Sequence, residues 1–214
     1  MIRRTLNATQ LATFSVDLPC AEAQDMPAPT GTGFFVSGDG WFVTAAHVVT
    51  KNNRPDGPPR DDIEKGWLMK EARMHWIGGM CQGLKLDFVA PEFDIALLKL
   101  GFSQNANKSH LTGKTEFPHL TVSTRQLQEG EPVYAFGYPL SEFGIVRSDP
   151  TITVGHLAHS PRTTSAIVAA TMDKTTRVST SSDPQVYVLD KALNYGNSGG
   201  PIVAVETGHV HAIC

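Results

Sequence analysis

With 214 residues the chain is long enough for one large domain or two small ones, and its 41% hydrophobic and 18% charged content is that of an ordinary folded globule. A formal net charge of −3 gives no argument for nucleic acid or an anionic membrane as a partner. No apolar run approaches the roughly 20 residues of a membrane-spanning helix. The expectation is therefore a protein that engages neither nucleic acid nor membrane.

In chain order, "MIRR" at the start and "AEA" at 21–23 imitate the two ends of a secretory signal. Asn7, Gln10, Ser15 and Asp17 interrupt the apolar stretch such a signal needs. Phe14, Val16 and Leu18 instead alternate with Thr13, Ser15 and Asp17, the period of a half-buried strand. Residues 1–30 are thus read as an N-terminal segment holding one strand. The segment "GTGFFVSGDGWFVTAAHVV" (31–49) reads as two strands joined by a turn at Gly38-Asp39-Gly40. A polar loop follows at 50–62, then strand-like runs around 66–70, 73–78, 84–90 and 94–100. From about 101 to 118 no period is sustained, which marks a connection. A second strand-rich half runs through "PVYAFGYPL", "TITVGHLAH", "TSAIVAATM", "QVYVLD", "GGPIVAV" and "HVHAIC". No helical period persists, apart from a turn after Ala45. Six short strands in each half predict an all-β protein of two tandem antiparallel barrels, 31–105 and 119–214, linked by 106–118.

Three places carry chemistry. "TAAHVV" sets His47 where an apolar strand ends in two alanines small enough to let another group approach. "FDIALLKL" sets Asp94 at the mouth of an apolar strand, where a buried carboxylate needs a hydrogen-bond donor. "DKALNYGNSGGPIVAV" surrounds Ser198 with Gly196, Gly199 and Gly200, a composition for backbone shapes that other residues resist. Each has an ordinary structural explanation when taken alone. Together they supply a base, an orienting acid and a nucleophile in the order His, Asp, Ser, one known solution to serine catalysis.

The segments "GTGFFVSGDGWFVTAAHVV", "FDIALLKL", "EGEPVYAFGYP", "TITVGHLA" and "DKALNYGNSGGPIV" resemble, in the same order, those of trypsin-like (chymotrypsin-fold) serine proteases, on the HtrA/Deg side of that family. The resemblance implies a double barrel with the active site in the cleft between barrels. In it Ser198 would attack a peptide carbonyl, His47 would shuttle the proton, and Asp94 would hold the imidazole. The N–H groups of Gly196 and Ser198 would form the oxyanion hole. The pocket for the residue before the scissile bond would be lined by Ala192, Leu193, Asn194, Tyr195, Ala212, Ile213 and Cys214. No cofactor or metal is implied, and the partner is a polypeptide substrate.

Departures from the digestive members carry information. Asn197 stands where zymogen-activated enzymes carry an Asp, and Val48 where many secreted ones carry a cysteine. The pocket segment has no acid at its usual floor, although Asp190 is near. Cys20, Cys81 and Cys214 are an odd set without framework spacing, which favours a reducing compartment without structural disulfides; a cytoplasmic location is expected, with a periplasmic one as the alternative. The chain stops within the strand that should form one pocket wall, so a longer protein with a C-terminal regulatory domain is expected. Two rivals have defined signatures. Gly196-x-Ser198-x-Gly200 also fits the nucleophile elbow of α/β-hydrolases, but that fold needs a helix after the serine and an acid beyond it. A catalytically silent protease fold serving as a binding module would keep the barrels without the reaction. His209 and His211, like His156 and His159, are read as strand-face residues rather than metal ligands.

Overall fold

Strand β1 (Thr13–Pro19) organises the first half of the molecule. It pairs antiparallel with β2 (Pro27–Phe35) on one side and β4 (Trp67–Met69) on the other. The computed structural model describes residues 2–19, 27–69, 72–73, 76–77, 80–100, 116–139, 142–149, 152–173 and 185–214. Adding β3 (Trp41–Ala45), β7 (Met80–Gln82), β8 (Leu84–Ala90) and β9 (Ile95–Leu100) gives one curled antiparallel sheet of order β7-β4-β1-β2-β3-β9-β8. Between them, β5 (Ala72–Arg73) and β6 (Trp76–Ile77) pair with each other as a separate two-stranded sheet. The turn at 38–40 joins β2 to β3, as the Gly-Asp-Gly chemistry requires. This sheet begins well before residue 31, because β1 lies inside it and not ahead of it.

The second half carries β10 (Pro132–Gly137), β13 (Arg162–Asp173), β14 (Gln185–Leu189), β15 (Pro201–Ala204) and β16 (Val210–Ile213), in the order β14-β13-β10-β15-β16. A separate hairpin pairs β11 (Glu142–Asp149), which the sequence reading leaves without a strand, with β12 (Ile152–Ala158). Most of the proposed connection 106–118 lies outside the described residues. Among those described, the two halves are two curled antiparallel sheets with few helices, consistent with a chymotrypsin-like double barrel.

The cores follow the period-2 logic of strands. Phe14, Val16, Leu18, Phe35, Phe42, Leu68 and Leu98 fill the first sheet, and Val133, Ala135, Val168, Ile202 and Ala204 the second. A third cluster joins Phe34 of β2 to Tyr134 of β10 and Val203 of β15, and so cements the halves together.

Two expectations are corrected here. Residues Ile2–Ala12 form an 11-residue helix, α1, where no major helix is expected. Its inward face is Leu6, Thr9 and Ala12, too small and too polar to register as an apolar stripe. The Thr9 hydroxyl is fully buried and lies 2.9 Å from Tyr134 Oη. Strand β1 is not half-buried: Thr13, Ser15 and Asp17 are as inaccessible as the apolar residues between them. Their face meets the second half of the protein instead of water.

Candidate active site

His47 and Asp94 are brought together by strand pairing. β3 and β9 pair so that Ala45 lies opposite Ile95, which sets the ends of the two strands side by side. β3 then turns into the short helix α2 (Ala46–Val49), carrying His47 in its first turn. On the other strand, a 3₁₀ turn at Pro91–Phe93 ends on Asp94, whose backbone is left-handed at φ 54°. Asp enters that region more readily than most residues. The Ala46 N–H donates to Asp94 O at 3.0 Å, and the His47 N–H donates to Asp94 Oδ1 at 3.0 Å. The remaining oxygen, Oδ2, lies 2.7 Å from His47 Nδ1. One carboxylate therefore holds both the main chain and the imidazole of the same histidine. Both side chains are partly exposed, at 27% and 30%, so a substrate can reach the pair.

Ser198 lies in a loop pinned to that same region. The Thr32 N–H of β2 donates to Ser198 O at 2.8 Å. A Cβ on Gly31 would lie 2.9 Å from Ser198 O and 2.6 Å from Val48 Cγ2, next to His47 in sequence. At Gly199, with φ +83°, a Cβ would collide with Thr32 O and the Thr44 hydroxyl, and lie 2.5 Å from Ala45 N. Ala45 is the last residue of β3 before the His47 helix. The Ser198 loop is thus seated against the end of the strand that delivers His47. On its other side the Gly199 N–H donates to Cys214 O at 2.8 Å, and the Cys214 N–H donates to Gly200 O at 2.9 Å.

Gly196 and Asn197 complete the loop. Asn197 N–H donates to Asn194 O at 3.2 Å, closing a turn whose third residue, Gly196, has φ +90°. A type II turn needs that positive φ, and glycine meets it without strain. Among the described residues, neither the Gly196 N–H nor the Ser198 N–H is bonded to an acceptor.

The expected pocket residues divide. A cavity of about 660 Å³ is walled by Leu193, Ala212, Ile213 and Cys214, together with Phe93 and Ile95 on either side of Asp94. Ala192, Asn194 and Tyr195 are not on its wall, and Tyr195 is 96% exposed. Lys191 and His211 add polar edges. Asp190 turns away: its Oδ1 accepts the Ile167 N–H of β13 at 2.8 Å. Burial pushes the Cys214 thiol up to about 12. Among the described residues, no group of three or more His, Cys, Asp and Glu side chains could hold a metal. His211 Nδ1 lies 2.7 Å from Arg125 O instead.

Thr32 is a residue the sequence reading passes over. Its hydroxyl donates to Gly196 O and accepts the Tyr138 N–H at 3.0 Å, while its N–H holds Ser198 O. The signal for it is its place between Gly31 and Gly33, where added side chains would strike Val48 and Phe42.

A double-sheet fold with a histidine–aspartate pair at the end of two strands, and a glycine-flanked serine loop seated against one of them, defines a class, that of serine proteases of the chymotrypsin fold. The family model of the trypsin-like peptidase domain matches residues 31–213, and the chain belongs to that family. It is 28% identical over 184 residues to serine protease HTRA1 of Xenopus laevis, covering 86% of this chain and 30% of that protein. It is 26% identical over 201 residues to serine protease HTR4 of Bos taurus, covering 94% and 32%. The chain thus spans about 30% of the length of these relatives. Among solved structures, the MamO protease domain from Magnetospirillum magneticum superposes with a TM-score of 0.58 at 20% identity, over 97% of this chain and 85% of that one. That likeness is one of fold.

Proposed function

We propose that this chain is the catalytic domain of a serine endopeptidase acting on polypeptides through Ser198, His47 and Asp94. The observation that carries the reading is the seating of the Ser198 loop against the end of β3, with Asp94 gripping His47 at Nδ1 and N. In this mechanism Nδ1 keeps its proton and donates it as a hydrogen bond to the Asp94 carboxylate, which leaves Nε2 free to accept the Ser198 hydroxyl proton. The hydroxyl oxygen bonds to the peptide carbonyl carbon as that proton leaves. Histidine then returns it to the departing amine, and water repeats the sequence on the acyl-enzyme. The N–H groups of Gly196 and Ser198 serve the negative oxygen, a role worth about 10²–10³ in rate per donor.

The apolar cavity wall supports a preference for small or medium apolar residues before the scissile bond. Asn197 is buried and neutral, which supports control without a newly cut N-terminus, since a buried ammonium gains far less from an amide than from a carboxylate. Acetylation of the α-amine then leaves kcat/KM unchanged. The greater length of the relatives supports further regulatory segments, and the cysteine pattern supports a cytoplasmic location. A fluorophosphonate probe tests the central reading. It should label Ser198 in the wild type, and labelling should vanish in Ser198→Ala and His47→Ala. A folded wild-type chain that takes no label would instead be a silent binding module.

A further inference from the structure

Thr13, Ser15 and Asp17 project from the face of β1 opposite Phe14, Val16 and Leu18, and all three are fully buried. A carboxylate in that position must be held by donors. The Ser15 hydroxyl donates to Asp17 Oδ1 at 2.6 Å, and His159 Nε2 lies 3.0 Å and 2.8 Å from the two carboxylate oxygens. Both side chains of the pair are 0% exposed. His159 stands between β12 and β13, so the pair ties the first sheet to the second half of the protein. The triad does not use it.

The same buried face leads to the nucleophile loop. Tyr138 Oη donates to Thr13 O at 3.2 Å, and the Tyr138 ring meets the His159 imidazole edge-on, with centroids 6.3 Å apart. The Tyr138 backbone is the wall behind Gly196, where a Cβ would lie 2.5 Å from Tyr138 O and 3.0 Å from Pro139 Cα. The Tyr138 N–H and Gly196 O share the Thr32 hydroxyl. Gly196 has no side chain of its own to anchor it. Its peptide lies where Tyr138 and Thr32 hold it.

We propose that Asp17 and His159 are positioning residues for the Gly196–Ser198 loop, acting through Tyr138; this rests on the peptidase reading above. Asn at position 17 offers one oxygen and no charge where the Ser15 hydroxyl and His159 Nε2 both meet a carboxylate, a buried mismatch the protein relieves by local movement or by admitting water. Tyr138 is the neighbour that must yield, and the Gly196 peptide moves with it. The consequence falls on the transition state, where the oxyanion forms, and much less on ground-state binding.

The test uses the full chain with Asp17→Asn, His159→Gln and Ser15→Ala. Activity is expressed per active site titrated with a fluorophosphonate, so that any unfolded fraction does not count. Asp17→Asn should lower kcat about 10- to 100-fold with KM within about threefold, the pattern of a lost transition-state interaction. His159→Gln keeps an N–H for the carboxylate and should retain more activity than Asp17→Asn. The second readout is the ¹⁵N–¹H resonance of Gly196, recorded with each variant in a Ser198→Ala background, which should shift or broaden together with that of Tyr138. Folded variants with unchanged kcat per site and an unmoved Gly196 amide overturn the proposal. If Asp17→Asn does not fold, the two milder variants decide by the same criteria. If the wild type lacks peptidase activity, the peptidase reading fails and the Gly196 resonance alone decides the coupling.

Discussion

Replacing Asp94 by Asn changes one atom's chemistry and leaves the local backbone alone. Asn enters the left-handed region as readily as Asp, so φ 54° is retained. The main-chain bonds Asp94 N to Pro91 O and Ala46 N to Asp94 O involve no side-chain atom. The His47 N–H can only donate, so the amide must turn its single oxygen toward it and its NH₂ toward Nδ1. Nδ1 is then forced to accept, and the imidazole proton moves to Nε2, the atom that must receive the Ser198 proton. A triad held in the wrong tautomer loses about 10⁴ in kcat, or about 5.4 kcal/mol at 1.36 kcal/mol per tenfold. Stability should hardly change. A pair this exposed contributes about 0–1 kcal/mol, which moves Tm by at most about 4 °C in a domain of this size. The assay is kcat/KM on a fluorogenic peptide beside a thermal melt of the same sample. Activity within tenfold of the wild type would refute the tautomer argument, and so would a loss that merely follows unfolding.

Gly199→Ala should abolish activity and lower Tm, because φ +83° alone costs about 1–2 kcal/mol and the methyl would strike Thr32 O and the Thr44 hydroxyl; an unchanged melt contradicts the seating of the loop. Arg125 holds the Glu131 carboxyl down at about 2, against 4.5 unperturbed, so its contribution is present above about pH 4.5 and lost as pH falls toward 2. Urea midpoints of wild type and Glu131→Gln should differ steadily above pH 5 and converge below it, and a pH-independent gap refutes the linkage. With its thiol pushed up to about 12, Cys214 should be alkylated at pH 8 at least about tenfold more slowly in the folded than in the unfolded chain, read by peptide mass mapping. A peptide library should favour apolar residues over Arg or Lys before the scissile bond, since Asp190 is engaged with Ile167 N–H. Best substrates that all carry Arg or Lys, with the preference lost in Asp190→Ala, would overturn that.

Strand positions were legible wherever one face is apolar and the other meets water, as in β9, whose inward Ala96, Leu98 and Leu100 alternate with Ile95, Leu97 and Lys99. The pattern misleads where a polar face meets protein. Asp17 reads as solvated from alternation alone, because nothing local says that His159, far along the chain, will cover it. Helix α1 escapes the pattern because its packing surface is Leu6, Thr9 and Ala12, a narrow and partly polar face that packs against the cluster containing Tyr134. His47, Asp94 and Ser198 stood out because each sits in a local context with a chemical reason. Asp94 at a strand mouth invites a donor, and the structure supplies two. The pocket was less legible: Leu193 faces the cavity while Tyr195 faces solvent, a choice set by the turn at Gly196 and not by residue type.

Ser198 belongs to the second half of the chain by sequence, but its loop is bonded to both halves. Thr32 of β2 holds Ser198 O and Gly196 O, while Cys214, next after β16, holds the Gly199 N–H. Gly31 and Gly199 allow this because at each the neighbouring backbone occupies the space a side chain would need. The strands on either side are packed in separate cores and resist deformation. Beside the apolar cluster of Phe34, Tyr134 and Val203, polar contacts join the N-terminal elements to the second half: Thr9 with Tyr134, Thr13 with Tyr138, and Asp17 with His159. Hydrogen bonds of this kind are directional, favouring short distances and near-linear geometry. The buried polar face of β1 is thus suited to fixing how the two sheets meet, and with it the geometry of the loop that carries Ser198.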